Sequence, residues 1–148
     1  MIKGVEIKKL TLNEDNRGFF IEMVKTNTTF LSEGVAQVSH SLVKEGVIKA
    51  WHAHRNQTQW NYVVNGLISV TLYDNRIDSL TYKEKINFYC GDNQQKIIYK
   101  FPPGVLHGYK CIEGPMNIIY LTSGQYDIND EVRISPEKIP ISLNFDNS

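Results

Sequence analysis

The chain has 148 residues, 41% of them hydrophobic and 22% charged, and its sixteen basic and sixteen acidic side chains cancel. That balance suits a soluble globular fold with enough apolar material for one core, so a single domain over 1–148 is expected. Zero net charge argues against broad nucleic-acid binding or a membrane-surface role, while leaving room for a local basic pocket.

The N-terminal stretch MIKGVEIKKLTL lacks the apolar core of a signal peptide, and no apolar run approaches the roughly 20 residues of a membrane span. A cytoplasmic location is the expectation. In chain order, strand patterns dominate as short runs rich in β-branched and aromatic residues. VEIKKLTL comes first, then GFFIEMV, then one short helical turn over 27–33 (NTTFLSE). AQVSHSLV, GVIKAWHAH, WNYVVNGLISVTLYD, INFYCG, KIIYKFP, HGYKCI and MNIIYLTSG follow. Asn65-Gly66 lies between two alternating runs and predicts a hairpin. Gly91-Asp92-Asn93 and Pro102-Pro103-Gly104 mark further turns. The tail after Ile134 reads as irregular. Cys90 and Cys111 sit in strand-like apolar contexts and read as two buried thiols. Many short strands separated by turns predict an all-β sandwich, jelly roll or barrel.

Chemistry concentrates between Gly46 and Gly66. His52 and His54 are two apart on a predicted strand, so alternation places both on one face with Ile48 and Ala50, and sends Trp51 and Ala53 the other way. Two imidazoles on an inner face are costly to bury unless partnered. Gly46, then five residues, His52, one residue, His54, four residues, Gln59, six residues and Gly66 resemble the first cupin motif, with Gln59 where glutamate usually stands. Pro102-Pro103-Gly104-Val105-Leu106-His107 resembles the second, with Cys111 in place of its closing asparagine. The resemblance implies an all-β cupin, a double-stranded β-helix jelly-roll barrel, with a cavity lined by His52, His54 and His107. His40 reads as an ordinary surface or core histidine with no task.

Further segments narrow the resemblance. Asp15-Asn16-Arg17-Gly18-Phe19-Phe20 resembles the DxRGxF segment of the dTDP-4-dehydrorhamnose 3,5-epimerase family. Gln37 to Ser41, Gly46 to His52, Asp74-Asn75-Arg76 with Ser79 to Tyr82, and Pro103 to Tyr109 (against PxGxxHGF) follow in that family's order. Tyr120 and Tyr126 match a pair of tyrosines. The resemblance implies a nucleotide-sugar epimerase acting on a 4-keto-6-deoxyhexose in deoxysugar or surface polysaccharide biosynthesis. A ketone at C4 acidifies the neighbouring C–H bonds, so a base on one face and an acid on the other can invert a centre. Imidazole, with a reference pKa of about 6.5, can accept a proton at neutral pH. His52 matches the family's base and Tyr120 its acid. Arg17 would hold the diphosphate, which guanidinium geometry suits, and Phe20 would pack on the base or sugar. Gln37, Lys49, Gln59, His107 and Tyr126 complete the candidate substrate contacts. No cofactor is implied. A homodimer is implied, with Arg17 reaching the partner's site.

The pattern also departs from the family. Gln59 occupies the place of a lysine that would stabilise the enolate, and a neutral amide does so less well than a cation. Lys49 takes the place of an arginine. The acid that orients the family's histidine has no obvious counterpart here, and Asp74, Asp130 and Glu131 are the candidates. His52-Ala53-His54-Arg55 with Gln59, and Tyr126 to Ile134, also resemble the 3,4-ketoisomerases of the same sugars. In those both histidines move protons, so His54 joins His52 and Tyr120 in the candidate catalytic set. A metal-dependent cupin using His52, His54 and His107 and a catalytically inactive sugar-binding cupin are the readings from other classes.

Overall fold

A computed structural model describes residues 1–139, and these form an almost wholly antiparallel β structure. The strands are β1 (Glu6–Lys9), β2 (Asn13–Asp15), β3 (Gly18–Phe20), β4 (Gln37–Val43), β5 (Ile48–His54), β6 (Gln59–Asp74), β7 (Lys85–Gly91), β8 (Ile97–Phe101), β9 (Val105–Thr122) and β10 (Glu131–Arg133). The helical turn expected over 27–33 is a 3-10 turn at Thr29–Leu31. A second such turn, Pro136–Lys138, follows β10, and the rest of the expected irregular tail lies outside the described residues.

Two long strands organise the fold. β6 and β9 pair from Gln59 opposite Thr122 to Asp74 opposite Val105. Each changes its outer neighbour midway. The first part of β6 pairs with β8 and the second with β7. β9 pairs through its first part with β5 and through its second with β4. Two sheets result, β1-β8-β6-β9-β4 and β7-β6-β9-β5-β10, sharing both long strands. This is the expected cupin jelly roll. β2 and β3 form a separate two-stranded ribbon. Of the expected strand GFFIEMV only Gly18–Phe20 is strand, and Ile21, Met23 and Val24 instead pack against a side cluster around Trp60 and Leu121.

The main core draws Val43, Val63, Tyr99 and Ile118 from the first sheet and Val70, Leu72, Cys90 and Tyr109 from the second. Each fully buried aliphatic side chain of this kind contributes about 1.5–3 kcal/mol, so the two sheets are held face to face by their inner residues. Cys90 and Cys111 are free and buried, as expected. Burial pushes the Cys90 thiol up to about 12, which leaves it unreactive at neutral pH.

The hairpin expected at Asn65-Gly66 does not form: β6 runs straight through it. Gly66 has φ +84°, and a Cβ there would lie 2.7 Å from the Glu113 carbonyl oxygen and 2.8 Å from the Met116 Cβ. The glycine serves a bulge with close strand approach rather than a turn. With β7 bonded on one side and β9 on the other, the chain has no room to reverse. The turns at 91–93 and 102–104 stand where expected.

Candidate active site

The strand β5 carries the two histidines, and its register against β9 is irregular. Lys49 lies opposite Tyr109 and His52 opposite His107, so three steps on β5 match two on β9. The extra residue is a bulge that reverses the alternation. Lys49 therefore shares the cavity with His52 and His54, in place of Ile48 and Ala50, which simple alternation assigned to that face. Beyond the bulge alternation holds: Trp51 and Ala53 point away and are buried with Tyr73 and Leu106.

The cavity has a volume of about 410 Å³ and takes its walls from both sheets. β5 supplies Lys49, His52 and His54, and β9 supplies His107, Tyr109, Tyr120 and Thr122. Ser39 and Ser41 of β4, Gln59 of β6, Glu131 of β10 and Tyr126 complete it. The three imidazoles converge as expected. The His107 ring centroid lies 6.0 Å from that of His52 and 5.8 Å from that of His54, with Phe101 packed on it at 4.3 Å. The Nδ1 of His107 is buried without a hydrogen-bond partner. Burial first, then the neighbouring His54 and His52, hold His107 well below the ordinary histidine range, so it is a neutral wall of the cavity.

β10 decides which carboxylate meets which histidine. It pairs antiparallel with β5, placing Glu131 opposite His54 and Arg133 opposite His52. The Glu131 Oε1 lies 3.1 Å from the His52 Nδ1, and the Asp130 Oδ2 lies 2.9 Å from the His54 Nδ1. Arg133, and after it His52, hold the Glu131 carboxyl below its usual range, so it is ionised. An ionised carboxylate only accepts hydrogen bonds. Nδ1 of His52 therefore carries the hydrogen, and Nε2 is the nitrogen that can take a proton. His54 differs. Its Nε2 lies 2.7 Å from the Gln59 Oε1, so both of its nitrogens are engaged. The chain of bonds runs on from Gln59 to Asn61 at 2.8 Å and from Asn61 to Tyr99 at 2.9 Å. Gln59 is thus a buried link that anchors His54. Among the described residues no group of three His, Cys, Asp or Glu side chains is placed to hold a metal ion.

Asp74, the third carboxylate candidate, lies elsewhere. It is fully buried and accepts bonds from Arg76, Ser79 and Thr81, pinning the loop after β6. Gln37 lines a small adjoining hollow with His54, Tyr126 and Glu131, and its Oε1 accepts the Tyr126 backbone N–H at 2.8 Å. Arg17 and Phe20 sit outside the cavity on the β2–β3 ribbon. The Arg17 side chain is 85% exposed and pairs with Asp15 at 2.6 Å, and Phe20 is exposed. His40 is exposed and bonds Asn117 at 2.7 Å.

Sequence reasoning missed the place of Tyr109. It lines the cavity, and its Oη lies 2.6 Å from that of Tyr120. Ser39, Ser41 and Thr122 were missed as well. The one available signal was the alternation of β4, which puts residues 39 and 41 on one face.

Comparison with known proteins gives one consistent result. Residues 1–147 match the family described as dTDP-4-dehydrorhamnose 3,5-epimerase. The chain is similar to the spore coat polysaccharide biosynthesis protein SpsL of Bacillus subtilis, 40% identical over 148 residues that cover 98% of this chain and 97% of that protein. It is similar to a probable low-salt glycan biosynthesis epimerase of Haloferax volcanii, 32% identical over 94% of this chain and 88% of that one. Among solved structures, a dTDP sugar isomerase from Desulfovibrio desulfuricans G20 superposes with a TM-score of 0.88 at 24% identity, covering 95% of this chain and 91% of that one.

Proposed function

The chain belongs to the dTDP-4-dehydrorhamnose 3,5-epimerase family of sugar epimerases, and on that premise we propose that it inverts a centre beside the ketone of a nucleotide-linked 4-keto-6-deoxyhexose. The observation that carries this reading is a partnered imidazole and a half-buried phenol supplied to one cavity by the two different sheets. Inversion needs a proton removed from one face of the sugar and returned to the other, and groups on opposed walls supply that.

His52, held by Glu131 through Nδ1, takes the proton through Nε2. The electron pair moves onto the C4 oxygen as an enolate. Tyr120 then delivers its own proton to the carbon from the other wall. Lys49, on the same wall as His52, is the cation available to the enolate or to the diphosphate. His54, with both nitrogens engaged, positions the wall rather than exchanging protons. That arrangement favours epimerisation over the ketoisomerase route, which needs both histidines free. The product belongs to the synthesis of a polysaccharide, the process after which the Bacillus relative is named.

Incubation with dTDP-4-keto-6-deoxyglucose in deuterated water tests the reading. Deuterium is expected at C3 or C5, with an inverted product and the ketone still at C4. A ketone moved to C3 establishes the ketoisomerase instead, and no incorporation with any nucleotide form of the sugar removes the enzyme reading.

The working unit is a homodimer. Among the described residues Lys49 is the one cationic side chain lining the cavity, while Arg17, paired only with its neighbour Asp15, and Phe20 project exposed from the ribbon. β4 is an edge strand with Val38 and Leu42 exposed on its outer face, a surface suited to a second copy. Light scattering should give about twice the 17.0 kDa chain mass. A monomer at assay concentrations ends the idea that Arg17 serves a partner's cavity.

A further inference from the structure

Tyr109 and Tyr120 stand on the same strand, β9, eleven residues apart. On a regular strand an odd separation sends two side chains to opposite faces. Between them the pairing with β6 is irregular. Cys111 lies opposite Ile68, Glu113 opposite Leu67 and Asn117 opposite Asn65, so β9 loops out extra residues as it passes from one sheet to the other. The two phenols consequently meet in one cavity, oxygen to oxygen at 2.6 Å. That separation is a direct O–H···O hydrogen bond. The motif that Pro103 to Tyr109 resembles ends in phenylalanine, where this chain carries a second hydroxyl.

We propose that Tyr109 is a positioning residue for proton transfer by Tyr120: its hydroxyl donates a hydrogen bond to the Tyr120 oxygen and holds the phenolate left when that proton has gone to the sugar. The proposal rests on the reading of Tyr120 as the acid. The direction of the bond follows from the surroundings of the two rings. Tyr109 is a member of the main core, and burial foremost, then Tyr120, Tyr99 and Cys111, keep its phenol protonated far above the ordinary tyrosine range. Burial also raises Tyr120, but hydrogen bonds from Tyr109 and Ser41 oppose that rise. The hydroxyl of Tyr109, kept protonated in the core, is thus the donor placed on the oxygen of Tyr120, and the anion of Tyr120 is the one the site is built to hold. In each turnover the proton lost from carbon resides on His52, the proton gained comes from Tyr120, and Tyr109 keeps its own. The imidazolium and the phenolate are reset by exchange with solvent.

The test is Tyr109→Phe, which removes one oxygen and keeps the ring that packs the core. The variant is expected to lose roughly 10- to 100-fold in kcat with KM unchanged, the range for one hydrogen bond to a charged group. Without the donor Tyr120 is a weaker acid, so the alkaline limb of the kcat profile moves to higher pH. 3-Fluorotyrosine installed at position 109 is a better donor in the same shape and should move that limb to lower pH, a reversal that a packing role cannot produce. Solvent deuterium exchange at the acidified carbon depends on His52 and should persist in both forms. Wild-type kcat and an unmoved limb in Tyr109→Phe overturn the proposal while leaving the epimerase reading intact. An unmoved limb with fluorotyrosine overturns it equally, should the phenylalanine form fail to fold. Absence of deuterium exchange in the wild-type protein is the separate sign that the epimerase reading itself has failed.

Discussion

His52→Asn is expected to lower turnover by about 10²- to 10⁴-fold, the range for removing a positioned general base, and to abolish solvent deuterium exchange at the sugar. Asparagine suits the test because its amide nitrogen can take over the place of the ring Nδ1 and donate to Glu131, so the carboxylate 3.1 Å away keeps a partner. Strand β10 then stays zipped to β5, and the melting temperature should move little. KM should change less than kcat, since the interaction removed is made in the transition state rather than in the bound substrate. Retained exchange in this variant would remove His52 from the mechanism. His54 could not simply take over, because Asp130 and Gln59 occupy both of its nitrogens.

Tyr120→Phe should separate the two halves of the reaction. Inversion is expected to fall on the order of 10²-fold or more, while deuterium continues to enter at the carbon, because His52 can still remove a proton and return a solvent-derived one to the same face. The product is then labelled sugar of unchanged configuration, read by NMR. The change also strips Tyr109 of its partner at 2.6 Å, leaving a buried hydroxyl unpaired, so a stability loss of about 1–3 kcal/mol should accompany it. Inversion at the wild-type rate would show that the acid is another group or water. Simultaneous loss of exchange and inversion would show instead that the phenol is needed to form the enolate.

Much of the fold was legible because its signals are local. Alternation, β-branched content and turn residues at 91–93 and 102–104 mark strands and breaks without knowledge of neighbours. The misreading at Asn65-Gly66 has the same origin. The dipeptide carries the strongest local hairpin signal, yet its glycine is used for contact with Glu113 and Met116, residues nearly fifty positions away. The histidine pair was legible because two imidazoles at a spacing of two share one face wherever the strand lies. Ile48 and Ala50 were assigned to the histidine face, where Lys49 stands, because the bulge that shifts the alternation is specified by pairing with β9, not by the residues of β5.

The carboxylate partners show the same limit. Asp74, Asp130 and Glu131 are equivalent as letters, and each is used, but for different ends. Asp74 ties down its own loop, while Asp130 and Glu131 reach His54 and His52. Only the antiparallel register of a three-residue strand against β5 distinguishes them.

The amino-acid order alone determined an all-β chain and a histidine pair on one face, because periodicity is written along the backbone, and the resemblance of its motifs implied the third histidine in the same hollow and the family. The tertiary structure alone decided which acid orients which imidazole, that Lys49 rather than Ile48 or Ala50 shares the histidine face, and that two phenols at an odd spacing touch. Those outcomes depend on bulges and strand register. Register is set jointly by strands far apart in the chain, and a slip of one residue exchanges inside for outside.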